Sequence, residues 1–129
     1  MKQLNYTTFV KKPALLVREN YNYQEVFIVN IESENIVNEI GVKVWRQSPV
    51  EIGNNLSYEN IIAAIVEAKY SNDDVTAITL NYLLAVHNEV DENKQEEYIN
   101  EYRTLQAWRQ KAKGIAKEVL EFAQKQNMI

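Results

Sequence analysis

His87 is the only histidine in the chain, so any Ser-His-acid nucleophilic machinery would have to run through it. It stands beside Asn88 and Glu89 at the end of an apolar-striped segment, without the Gly-flanked serine of a nucleophile elbow. That setting suits a solvated, helix-terminal imidazole. Asp73, Asp74 and Asp91 are the next residues with chemical reach, as ligands for a hard cation. No Asp-x-Asp-x-Asp-Gly loop accompanies them, and adjacent aspartates at a helix start serve as cap and dipole partner. Gly41, Gly53 and Gly114 are isolated, whereas a loop that cradles phosphate needs its glycines clustered. With no cysteine there is no thiol nucleophile, disulfide framework or thiolate metal site. Glycoside chemistry needs two facing carboxylates in different environments, and 18 acidic residues always offer pairs, so none is singled out. The expectation is a protein that is not an enzyme, with no cofactor, no metal and no small-molecule substrate.

Aromatic side chains hold the remaining functional reach. Tyr21 and Tyr23 flank a turn, Trp45 lies in an alternating segment, and Tyr98, Tyr102 and Trp108 recur along the last helical segment. Exposed Tyr and Trp bring large contact area at low entropic cost, which favours protein interfaces. The competing use is cover for a small core. These six residues are the candidate partner-binding set, with a protein partner or a homo-oligomer as the expected assembly.

The elements that would position them change character once. A length of 129 residues suits a single domain over 1–129, mainly β in 1–56 and helical in 57–129. Ala14-Leu15-Leu16-Val17 is a short apolar run between Pro13 and the turn-prone Asn20-Tyr21-Asn22-Tyr23. Glu25 to Ile31 is apolar on both faces, which predicts a central or sandwiched strand. Val42 to Gln47 alternates, and Ser48-Pro49 is expected to end it; Gln3 to Val10 adds an edge strand. Ser33 to Ile40 fits either a helical turn or a continued strand. The expected fold class is α+β: a small antiparallel sheet of three to four strands followed by three α-helices, the last one long.

From Ser57 the period is helical. Tyr58, Ile61, Ile62, Ile65 and Val66 form one stripe; Val75, Ile78, Thr79, Tyr82, Leu83 and Val86 form a second. Between them, Ser71 and Asp74 have the spacing of a capping box, with Tyr70 and Val75 placed to clasp across it. Ser57 repeats the cap between Leu56 and Ile61. The last segment, from about Lys94 to about Lys125, carries Leu105, Trp108, Ala112, Ile115, Val119 and Phe122 alternately three and four apart. That stripe serves either as a seam for self-association or as the face that packs on the sheet and the other helices. Gly114 is its weak point, and continuity through it is open from the sequence.

Net charge is −4, which weighs against nucleic acid as the main partner, because phosphate neutralisation needs clustered bases. Residues 57–91 hold six acids against Lys69 alone. No apolar run approaches the roughly 18 residues that span a bilayer. The N-terminal residues lack the apolar core of a signal peptide, so the expected location is the cytoplasm.

The second half resembles small proteins encoded among the tail and structural genes of bacteriophages and prophages. The residues that carry the resemblance are Ile61 to Ala68, Tyr70-Ser71-Asn72-Asp73-Asp74, Ile78 and Asn81-Tyr82-Leu83. In the final helix they are Glu97-Tyr98, Glu101-Tyr102, Ala107-Trp108-Arg109, Lys111-Ala112-Lys113 and Ala116-Lys117. The match covers residues 57–120. It implies a structural or accessory protein, tail-associated, located in the host-cell cytoplasm or in a virion, that holds other tail proteins and has no catalytic residues at these positions. The alternative from another class is a cytosolic regulator or inhibitor that binds a basic target through the acidic helix pair.

Overall fold

Alternation with period two up to Gly53 and a 3.6-residue period after Ser57 are both realised in the computed structural model. It describes the backbone of all 129 residues and every side chain except that of Tyr21. Four strands, β1 (Thr7–Phe9), β2 (Leu16–Tyr21), β3 (Gln24–Val37) and β4 (Lys43–Gly53), precede three helices, α1 (Tyr58–Lys69), α2 (Asn72–Val86) and α3 (Glu92–Lys125). The sheet is antiparallel throughout, in the order β1-β4-β3-β2. The fold is α+β.

β3 is central, as its two apolar faces require. It continues through the segment that sequence left open, reaching Val37 before the chain turns. Asn38 makes that turn: its Oδ1 accepts from the amides of Ile40 and Val42, while Gly41 takes φ of +83°, which glycine adopts freely. Asn22 and Tyr23 join β2 to β3 with φ of +50° and +64°, the twist of a two-residue hairpin. Between Ile31 and Glu34 the β3–β4 register slips by one residue, with Glu32 in the left-handed region at φ +56°.

The expected end of β4 at Ser48-Pro49 is corrected: the strand runs on to Gly53. β1 pairs with β4 only at Trp45, Arg46 and Gln47, so Pro49 sits where one edge of β4 is open and a missing N–H breaks no ladder bond on that side. The chain between β1 and β2 must cross the sheet, and two buried amides fasten it there. Gln47 Nε2 donates to Asn30 Oδ1 at 2.8 Å, and Asn30 Nδ2 donates to the carbonyl of Ala14 at 2.7 Å. Both side chains are polar and buried; their bonds to each other and to the backbone offset part of that cost, while Gln47 Oε1 is buried without a partner among the described residues.

One apolar core joins sheet to helices, drawing on Leu16, Val29 and Ile31 from the sheet, Ile61 and Ile65 from α1, and Leu105 from α3. α1 lies against β4, α3 reaches β2, and α2 packs chiefly on α3. α3 is continuous through Gly114 for 34 residues, about 51 Å at 1.5 Å per residue. Its inward face differs from the expected stripe in one respect. Ala116 and Ala123 are fully buried, whereas Ile115 and Phe122 are only partly so. Alanines let the long helix approach its neighbours closely, and the larger side chains reach in from the flanks.

Candidate docking surface

The junction at Tyr70–Val75 sets where α2 stands. Ser71 Oγ accepts from the Asp74 amide and Asp74 Oδ2 accepts from the Ser71 amide, both at 3.1 Å, closing the capping box. At the other end Gln95 of α3 donates to the Ala85 carbonyl at 2.9 Å and to Asn88 Oδ1 at 2.8 Å. In between, Tyr82 and Tyr102 stack with ring centroids 3.9 Å apart and planes 10° from parallel. α2 is therefore fixed at its start by the cap and tied to α3 from Tyr82 onward.

That grip uses only one face. Ile78, Tyr82 and Ala85 share the side toward α3, and Ala85 is fully buried. Leu80, Leu83 and Leu84 recur at three- and four-residue spacing on the far side and are 56%, 46% and 40% exposed. The expected stripe through Leu83 and Val86 is thus corrected: both are exposed, and Ala85 takes the inner position. A helix apolar on two faces has its second face available to another molecule.

Beside the leucines the surface dips into a groove of about 610 Å³ between α2 and α3. Ala77, Ile78 and Asn81 form its α2 wall, and Glu97 and Glu101 stand on the α3 wall. Ala77, one turn from Leu80 and Asn81, makes groove and leucine stripe a continuous surface. The Asp74 carboxyl also lines the groove and is held below the usual carboxylate range, chiefly by the Ser71 backbone amide and then by its hydroxyl, with the Met1 amino group and Lys2 adding to this. Burial pushes the Tyr70 hydroxyl up, and the carboxylates of Asp74 and Glu101 push it further. Glu97 pairs with Lys94 at 3.1 Å, a contact that raises the lysine's pKa, while Glu101 makes no ion pair among the described residues.

The Asp74 carboxylate gives the fold a pH signature. Its folded pKa lies below its unfolded one, so its stabilising contribution is complete above the ordinary carboxylate range and is lost as pH falls through the lowered value. The stability gap between the native protein and Asp74→Ala, read from urea midpoints, should be widest at neutral pH and narrow as pH falls through the lowered carboxylate range. A gap of unchanged size in acid would remove the carboxylate from the cap.

The six aromatic candidates are not brought together. Tyr23 is fully exposed at the β2–β3 turn, and the side chain of Tyr21 lies outside the described residues. Trp45 is half-buried in β4, paired with Asn35 near the other end of β3, with Lys12 Nζ 5.3 Å from its ring. Tyr98 and Tyr102 are half-buried on α3. Trp108 is 6% exposed and belongs to the core. Leu80 and Leu84 were not singled out by the stripe reading, although their spacing opposite Ile78 and Tyr82 is the signal that finds them.

Among the described residues no group of three or more His, Cys, Asp or Glu is placed to hold a metal ion, and no helix is long and apolar enough to cross a membrane. His87 is exposed at the end of α2. No family model matches the chain, and no curated protein or solved structure shows significant similarity to it.

Proposed function

We propose that this protein is a non-enzymatic interaction protein, an accessory or structural component of phage or prophage origin and tail-associated, that docks a protein partner on the outer face of α2. The observation that carries the docking role is the exposed Leu80-Leu83-Leu84 stripe on a helix held rigidly from behind. Such a helix gives up little conformational freedom on binding, so its apolar burial goes largely into affinity. The phage setting rests on the resemblance of residues 57–120.

Co-expression with the products of the adjacent genes tests this. The native protein should elute with one of them as a stable complex, and Leu80→Gln, Leu83→Gln and Leu84→Gln together should release it. A complex that survives the triple variant would place the interface elsewhere.

The second reading, a regulator that holds a basic target through its acidic helix pair, is favoured by the carboxylates of Asp74, Glu97 and Glu101 around the groove. Salt separates the two readings: electrostatic capture weakens steeply as ionic strength rises, and apolar docking does not.

A further inference from the structure

We infer that the occupant of the α2 surface is an amphipathic helix of a partner protein, its apolar ridge on Leu80, Leu83 and Leu84 and a Lys or Arg from its flank in the Ala77–Glu101 groove. The inference rests on the docking role proposed above and adds the chemistry of the partner. Three features converge on it. The leucine stripe has the i, i+3, i+4 spacing that receives the ridge of a second helix. The groove that continues from it carries three carboxylates: Asp74 has the Met1 amino group and Lys2 near it, Glu97 pairs with Lys94, and Glu101 has no ion pair among the described residues. No Lys or Arg occurs between Lys69 and Lys94, and Lys94 is already paired with Glu97, so no base on α2 repels a cationic flank.

The same charge argument disfavours a second copy of this chain docked α2 against α2. Each copy would bring Asp73, Asp74, Glu89 and Asp91 to the other's α2, which has no Lys or Arg to oppose them. An acidic amphipathic helix would meet the same repulsion at the groove. A basic flank instead gains attraction from Glu101 and competes with the exposed Lys94 for Glu97.

The experiment uses two synthetic peptides of about 18 residues, long enough to hold helix, with the same leucine ridge and either Lys or Glu at the remaining positions. Binding to the full chain is followed by amide chemical shifts and by titration calorimetry. The Leu/Lys peptide should bind at least about tenfold tighter than the Leu/Glu peptide at low salt, with the difference shrinking at high salt. The shifts should centre on Ala77, Leu80, Leu83, Leu84 and Glu101. Glu97→Gln with Glu101→Gln should erase most of the preference and leave the fold intact, since both side chains are exposed.

Equal affinity for the two peptides, lost for both in the triple leucine variant, would overturn the basic flank and leave the docking role standing. Affinity unchanged in the triple leucine variant would overturn both. Failure of both peptides to bind would overturn the helical occupant alone, the docking role then being decided by the co-expression result. Reversible dimerisation in sedimentation that the leucine variant abolishes would put a second copy on the face and overturn the proposal.

Discussion

Trp108→Ala should lose about 3–5 kcal/mol of stability, a large part of the 5–15 kcal/mol that holds a domain of this kind folded. The indole is 6% exposed and spans the seam between α1 and α3. Its Nε1 donates to the carbonyl of Ile65 at 2.9 Å, joining residues 43 positions apart. Lys69 Nζ stands 3.9 Å from the ring centroid and so covers one face of the indole with a cation. Truncation removes the ring, the bond and the cation's partner at once, and leaves a void where the long helix meets the first. Trp108→Phe keeps most of the burial but not the donor, and should cost about 1–2 kcal/mol more modestly. Circular dichroism during guanidinium unfolding reads both; a Trp108→Ala midpoint within error of the native one would mean that the indole is not part of the core.

The second large effect lies where the helix surface is smallest. Ala116 is fully buried within the core. Ala116→Leu adds three carbons to a place with no room for them, so α3 must lift or its neighbours must leave their rotamers, at about 1–3 kcal/mol or more. Lys117→Leu, one residue on and exposed, should stay within about 0.5 kcal/mol. Equal and small effects at both positions would show that α3 does not approach closely at its alanines.

These two positions also mark what could be read from sequence. The helices and the two serine caps are legible because each rests on contacts close in the chain, Ser71 with Asp74 or Ile61 with Ile65, and the strands show by alternation alone while their pairing does not. The inward face of α3 was harder. A hydrophobic stripe weighs large residues most, so it selected Ile115 and Phe122, whereas close packing of a helix is decided by the small ones, Ala116 and Ala123. Pro49 misled for a related reason. Whether a missing N–H matters depends on what pairs with that edge, and β1 ends its pairing at Gln47. The turn at Asn38–Gly41 depends on a side chain accepting two amides, a geometry with several competing readings in a polar stretch. The docking face was least legible. Leu83 and Val86 look inward whenever α2 is assumed to have one apolar side, and the Tyr82–Tyr102 stack with the buried Ala85 shows which side α3 takes.

The proposed docking role requires that Leu80, Leu83 and Leu84 serve a partner and not the fold. Equilibrium unfolding of the triple Leu→Gln variant in urea tests it most directly, because glutamine keeps the helix propensity and most of the side-chain length. The variant should keep a stability within about 1 kcal/mol of the native protein, as expected for exposed positions. A combined loss of several kcal/mol, on the scale of about 2–5 kcal/mol for each buried leucine truncated, would contradict it and make the stripe part of the core.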